Sequence, residues 1–403
     1  MGRPNSEASE IRSRQGTIVM RKPLRILHVI ERISRYGVPA WLLQVLRHID
    51  RDAFQIDVLT HTPDEHVCEQ EFRALGSRVM PCLSPPRPWA YARNFRRIVS
   101  ENGPYDIVHS HVFSFSGFVV RLAKEAGIPR RIIHSRNAGP SAVDAHFPGR
   151  RVYEVLMSRW MRDATDLLAV SQQAGEALFG REWFTDTSRI LTSSIDLSPF
   201  SRPVDAAALR AELALNPGHR VVGYVARFVG EKNHRFLVQV ARELTASEAD
   251  VRFLLVGDGP LLPDIQRQVA EAGLADNFVF AGERSDVPAV MKGAMDLLLF
   301  PSLCEGLGRV MVEAQAAGLP CVISDVMPEE VNVVEPLVTR LSLEETPAHW
   351  ARVVRERLSA APVMTQSEAL AAVEATPFNI TTNVEQLQRL YLNDVPTLQA
   401  TVA

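Results

Sequence analysis

The sequence predicts an α/β protein built of two doubly wound parallel sheets that face a central cleft, and three observations carry that expectation. Short, near-continuous apolar runs alternate with longer helix-period stretches along most of the chain, the pattern of strands buried on both faces. The alternation halts in a polar, proline-bearing stretch at 193–219 and then restarts. The 403 residues suffice for two cores, because domains of about 100–200 residues are ordinary.

Residues 1–23 are polar, lack the apolar stretch of a signal peptide, and read as a flexible tail with Met20 as an alternative start. The first strand is expected at Leu24–Ile30 (LRILHVI), before a Ser/Gly/Pro loop at 34–39 and a helical stretch from Ala40 to Ile49. Strands at 54–60, 105–109, 130–134, 166–170 and 189–192 complete a first domain over 24–195. A linker over 196–219 leads into a second domain over 220–377, with strands at 220–226, 251–256, 277–281, 296–300 and 319–323. An irregular stretch precedes the last segment, 378–403, whose helix near 382–392 can cross back to the first domain. Ligands of such sheets bind at the carboxyl ends of the strands, so the cleft is the expected site.

Composition narrows the function. Apolar residues are 46% and charged residues 23%, which is globular rather than disordered or collagenous. With 44 Lys and Arg against 47 Asp and Glu, the chain lacks the basic footprint of a nucleic-acid binder. Cys68, Cys82, Cys304 and Cys321 are scattered, without zinc spacing, and read as small core residues in a reducing compartment, with a catalytic thiol left open. No window approaches the ~20 apolar residues of a membrane span, so a cytoplasmic protein is expected.

The most informative segment is 300–325 (FPSLCEGLGRVMVEAQAAGLPCVISD). A strand ends, a glycine-bearing loop follows, and a helix begins near Gly308–Arg309, an arrangement that favours an anion such as a diphosphate. Glu305 in the loop and Glu313 inside the helix could grip polyol hydroxyls on either side of it; a capping carboxylate and a solvated helix face are the alternative. In 223–234 (GYVARFVGEKNH), a strand runs into Arg227, Lys232 follows, and Asn233 is expected to cap a helix. Two cations there suit a diphosphate leaving group, or are solvated loop residues. Lys232 is one of only four lysines.

Weaker signals include the turn Gly257-Asp258-Gly259-Pro260, and His109-Ser110-His111, of which one could point into the cleft. Asp50-Arg51-Asp52 follows a helix rather than a strand and reads as a turn, not a metal-nucleotide site. The stretch 87–97 (RPWAYARNFRR) could seat on an anionic membrane, or form an ordinary helix with aromatics inward.

Together these motifs resemble the retaining glycosyltransferases of family 4, whose GT-B fold pairs two Rossmann-like domains. The resemblance runs from about Leu24 to Leu392 and rests on Glu-x7-Glu (Glu305 to Glu313), on Arg227 and Lys232, and on the Gly-Asp-Gly-Pro turn. The N-terminal half looks like the exopolysaccharide and capsule subgroup. The resemblance implies a nucleotide-diphosphate sugar donor, most often UDP-linked, held mainly by the second domain. Glu313 would bind the ribose, and Arg227 with Lys232 would neutralise the diphosphate. Glu305 and the backbone of Gly306, Leu307 and Gly308 would hold the sugar, with the Arg309 and Val310 amides on the phosphate. Gly37 would let the first-domain loop approach closely, His111 would lie near the sugar from the acceptor side, and Arg284 would border the base.

The implied reaction transfers a hexose or N-acetylhexosamine, with retention and without metal or other cofactor, to a polysaccharide or lipid-linked acceptor. Peripheral contact with the cytoplasmic face of the inner membrane would accompany it. A nucleotide-sugar epimerase and a non-catalytic nucleotide-sugar-binding protein are the alternatives. The chain departs from the family at three places: Tyr36-Gly37-Val38-Pro39 replaces a Gly-Gly pair, Ser193-Ser194 stands for Asn-Gly, and Arg136 stands where the subgroup tends to have histidine.

Overall fold

The computed structural model describes residues 22–35, 37–63, 67–83, 86–139, 149–181 and 189–392. All of the expected tail except Lys22 and Pro23 lies outside them. The first domain begins with β1 (Leu24–Ile30), α1 (Gly37–His48), β2 (Phe54–Thr60), α2 (Val67–Ala74) and β3 (Val79–Pro81). It continues through α3 (Pro88–Asn102), β4 (Ile107–Ser110), α4 (Ser116–Glu125) and β5 (Arg130–Ser135) to α5 (Arg150–Met161), β6 (Asp166–Ala169) and α6 (Gln172–Phe179). Two short helices, α7 (Ser198–Ser201) and α8 (Ala206–Glu212), introduce the second domain. There β7 (Arg220–Val225), α9 (His234–Thr245), β8 (Val251–Val256), α10 (Leu262–Glu271) and β9 (Phe278–Gly282) form one half. The other half is α11 (Val287–Ala294), β10 (Leu297–Phe300), α12 (Arg309–Ala316), β11 (Cys321–Ser324) and β12 (Val338–Leu341). Helices α13 (Pro347–Ser359), α14 (Gln366–Glu374) and α15 (Ile380–Tyr391) close the described chain.

Both sheets have six parallel strands, ordered β3-β2-β1-β4-β5-β6 and β12-β11-β10-β7-β8-β9. Each reverses its strand order next to its first strand, where loops part and a crevice opens at the carboxyl ends. Burial explains the strand sequences: β8 and β10 are inaccessible along almost their whole length, so both faces must be apolar. Helices cover the first sheet in two layers. One core lies under α1, α2 and α15, around Trp41, Phe54, Phe72 and Leu387. The other lies under α3, α4 and α5, around Tyr91, Phe95, Val119 and Met157.

The structure amends the expected elements in three places. Residues 189–192 form no strand; Ile190 makes one isolated bridge to Ala169, because Leu191 and Thr192 turn their carbonyls to the side chains of His134 and Asn383. The stretch 196–219 is not merely a linker, since Leu209, Leu213 and Leu215 pack into the second-domain core. The stretch expected to be irregular holds β12, α13 and α14, the last opened by a Thr365/Glu368 capping box.

The chain crosses between the domains twice, and the crossings lie side by side. Ile195 N–H donates to Phe378 O at 2.8 Å, and Ile380 N–H donates back to Ile195 O at 3.1 Å. Helix α15 thereby returns to the first domain, where the Asn383 amide accepts from Trp41 Nε1 at 3.2 Å and donates to Thr192 O at 3.0 Å.

Candidate active site

On the second-domain side, β10 ends in a loop that climbs to α12. Gly308 caps that helix with φ 81°, a left-handed conformation that glycine adopts without a Cβ penalty. Leu307 anchors the loop in the core. Arg309 and Val310 open α12, where backbone N–H groups lack helical partners and the dipole favours an anion. Glu313 lies one turn further in, with Arg309 Nη2 at 3.5 Å from its Oε1. Burial raises the Glu313 carboxyl above its usual range, with Arg309 opposing.

Lys232 follows β7 in a short 3₁₀ turn and ion-pairs with Glu305, while Ser302 Oγ lies 3.1 Å from the same carboxylate oxygen. The two loops are tied by Leu303 N–H donating to Glu231 O at 2.8 Å. Glu305 is 9% exposed, so this pair sits where charge is poorly screened. Both groups keep unused capacity, since an ammonium has three donors and a carboxylate about four acceptor sites. Arg227 lies just beyond β7, exposed, with no ion pair among the described residues. Asn233 stands at the N-cap of α9, but in the left-handed region and without a side-chain cap, which amends the expected capping.

Arg284 is clamped by Asp286, at 2.8 and 2.7 Å, and by Glu212 at 2.7 Å, so its fork is committed to protein carboxylates. Gly37 is exposed at the start of α1 with φ 62°. Asp50 Oδ1 accepts from the amides of Asp52 and Ala53 at 2.9 and 3.2 Å, the turn expected of it. Cys68, Cys82 and Cys321 are buried; Cys304, in the donor loop, has its thiol pushed up by burial and by Glu305, the opposite of nucleophile activation.

The first-domain side holds what the sequence did not announce. His28, His109, His111 and His134 lie together under α1 and α15, each fully or nearly buried. Their hydrogen bonds form a chain whose direction is fixed at both ends. Arg136 Nε–H can only donate, and it reaches His111 Nδ1 at 3.2 Å. His111 Nε2–H therefore donates to His28 Nδ1 at 3.0 Å, and His28 Nε2–H to the Tyr391 oxygen at 3.0 Å. The Tyr391 hydroxyl then donates to His109 Nδ1 at 2.8 Å, and His109 Nε2–H to His134 Nδ1 at 3.1 Å. His134 Nε2–H ends on Leu191 O, 3.1 Å away, an atom that can only accept. All four imidazoles are thus neutral Nε2–H tautomers. Burial lowers every one of their pKa values, that of His28 to about 3.

Two consequences follow. His28, His109 and His111 cluster closely enough to suggest a metal site, but each ring lone pair already accepts a hydrogen bond, so a cation does not fit. His111 keeps no free nitrogen for a sugar hydroxyl in this arrangement; the first-domain group beside it with donors to spare is Arg136. Tyr391→Phe should cost about 2–5 kcal/mol of stability, because it strands His28 Nε2–H and the His109 lone pair together. No tautomer change can relieve either, and a urea titration measures the loss.

Arg136 also touches the segment just before the linker and the loop between β10 and α12. Its Nη1 donates to Ser193 Oγ at 2.6 Å, so two of the departures from the family pattern are in direct contact. Its carbonyl meets Gly306 so closely that a Cβ there would lie 1.9 Å away. Ser171, the N-cap of α6, donates its hydroxyl to Gly306 O at 2.6 Å. Gly306→Ala must therefore push the donor loop off the first domain. On the transferase reading that the resemblance implies, a drop of about a hundredfold in kcat/KM is expected, with nucleotide affinity changed less; steady-state kinetics with calorimetry check it.

Known families and proteins match most of the chain. Residues 36–192 match the family described as glycosyl transferase 4-like domain, and residues 205–368 the family described as glycosyl transferases group 1. The chain is 35% identical to "Putative glycosyltransferase EpsF" of Bacillus subtilis (strain 168), covering 83% of this chain and 88% of that one. It is 28% identical to the UDP-Gal:alpha-D-GlcNAc-diphosphoundecaprenol alpha-1,3-galactosyltransferase of Escherichia coli, over 55% of this chain and 58% of that one. The crystal structure of Anabaena HepE in complex with UDP and glucose superposes with a TM-score of 0.74 at 19% identity, covering 92% of this chain and all of that one. Two doubly wound domains, a Glu-x7-Glu segment whose first carboxylate pairs with Lys232, and these matches make one conclusion: the chain belongs to the family 4 glycosyltransferases of the GT-B fold and resembles their exopolysaccharide subgroup.

Proposed function

We propose that the protein transfers a hexose or N-acetylhexosamine from a UDP-linked donor to a polysaccharide or lipid-linked saccharide, with retention and without a metal. The observation that carries this reading is the convergence of Lys232, Glu305, Glu313 and the α12 N-terminus at the carboxyl ends of β7 and β10. Glu313 binds the ribose hydroxyls, and the Arg309 and Val310 amides hold the diphosphate. Arg227 and Lys232 take up negative charge as the bond from the anomeric carbon to the phosphate oxygen breaks. The acceptor oxygen bonds to that carbon on the same face, and its proton passes to the departing phosphate. Glu305 is held by Lys232 and Ser302, which suits a sugar-positioning group better than a nucleophile.

UDP in the HepE complex and a lipid diphosphate acceptor in the name of the E. coli enzyme support the substrate classes. Membrane contact has support in α3 and α5, which flank α4 on one side of the first domain. Trp89, Val152 and Val155 are 76, 73 and 70% exposed there, amid Arg87, Arg93, Arg151 and Arg159. Among the described residues no helix is long and apolar enough to cross a membrane. The test is transfer from labelled UDP-glucose, UDP-galactose and UDP-N-acetylglucosamine to lipid-linked saccharides, with and without EDTA. An α-linked product unaffected by EDTA is expected; inversion, or loss of activity with EDTA, would refute the corresponding part.

A further inference from the structure

Arg136 is a cation without a counter-charge. It stacks on Trp41 with its guanidinium carbon 4.0 Å from the ring centroid, and its polar contacts are neutral: His111 Nδ1 and Ser193 Oγ. Among the described residues it has no salt bridge, and its Nη2 is sealed from solvent with no hydrogen-bond partner. A guanidinium with a sealed, unpaired donor is costly; burial pulls its pKa down to about 9, with Tyr391 opposing and Arg309 adding to the effect.

Arg309 approaches from the other domain in a similar condition. Its Nε is buried and unpartnered, and its contact with Glu313 is long at 3.5 Å. The Arg136 backbone meets Gly306, three residues before Arg309, and each guanidinium keeps a buried donor without a partner; two such groups brought together across the boundary describe an anion site. Arginine pairing does not use up either group, since Arg136 has no carboxylate partner among the described residues and Arg309 has only the long contact with Glu313. Arginine forks suit phosphate oxygens in particular.

We infer that Arg136 and Arg309 form a phosphate-binding site across the domain boundary, in which a diphosphate bonded by both guanidinium groups holds the cleft shut. The site deepens the transferase reading and rests on it for the anion's identity. The diphosphate has two sources, the nucleotide donor and a lipid-linked acceptor. Because Arg136 Nε also starts the histidine chain, the same residue ties the bound anion to α15 and to the crossing at Leu191–Ile195.

The test is calorimetric titration of the full chain with UDP, inorganic pyrophosphate and geranyl diphosphate, in wild type, Arg136→Gln and Arg309→Gln. Each substitution should weaken at least one ligand by about ten- to a hundredfold, the value of a charge-assisted hydrogen bond, and Arg136→Lys should recover part of it. Weakening of UDP and pyrophosphate alone assigns the site to the donor; weakening of geranyl diphosphate alone assigns it to the acceptor. Wild type that binds none of the three, or folded variants with unchanged affinity for all, overturns the inference. Should Arg136→Gln fail to fold, Arg309→Gln reads the same site from the other domain. Sugar transfer with both arginines indifferent would sink this site and leave the transferase reading standing. Arginine-dependent pyrophosphate binding without any transfer would do the reverse.

Discussion

Lys232→Ala is expected to lower kcat by about a hundred- to a thousandfold, the cost of removing one preorganised donor from a developing anion. Affinity for UDP should fall far less, because in the proposed site the α12 amides and Glu313 would hold the nucleotide independently of Lys232. The expectation follows from how the lysine is held. Its backbone carbonyl accepts from the Tyr224 hydroxyl, and its ammonium faces Glu305 and lies 5.6 Å from the centre of the Phe300 ring. Positioning is therefore fixed before a substrate arrives, and no reorganisation is needed when the bond breaks. The substitution also leaves Glu305 buried without its partner, so Lys232→Ala should be compared with a Lys232→Ala/Glu305→Gln double variant. If the single variant loses activity only through the stranded carboxylate, the double variant returns to the level of Glu305→Gln alone; a further loss of about a hundredfold below that level supports the leaving-group role. A loss of UDP affinity alone, with no transfer by the wild type, would instead fit a binding protein.

The second large effect concerns acid. The four histidines of the chain are neutral in the folded protein, with pKa values below the usual 6.5. On unfolding they regain ordinary values and bind protons, so the unfolded state carries more protons at mildly acidic pH. Stability is then fully present above about pH 6.5 and is lost as pH falls below it, toward the depressed folded values. Between pH 7.5 and 5.5 each such histidine forfeits about 1.4 kcal/mol, so the four together remove about 5 kcal/mol. Urea titrations at the two pH values check this. Equal stability at both would mean that the imidazoles are not held neutral.

The second-domain cluster was legible in the sequence and the first-domain cluster was not, for a physical reason. Glu305, Gly308, Arg309 and Glu313 lie within nine residues of one strand-loop-helix turn, so local spacing alone brings them to one place. The histidine chain draws single residues from β1, β4, β5 and the tip of α15, separated by up to 363 positions. A signal was nevertheless present. The strand candidates LRILHVI, YDIVH and RRIIH each carry one histidine in an apolar run, and the structure pairs His28 with His109 across β1 and β4. Three polar residues in neighbouring buried strands require mutual satisfaction. Arg136 and Ser193 could be noted only as departures; that they touch depends on how β5 meets the crossing between domains. The short strands β3 and β12 went unseen because three or four residues carry too little periodicity.

The most direct measurement of the central claim is a calorimetric titration of UDP into wild type and Glu313→Ala. A single-site isotherm for wild type, weakened by about tenfold or more in the variant, is the predicted result. No heat at millimolar UDP, or an isotherm indifferent to Glu313, would contradict a donor site at the start of α12.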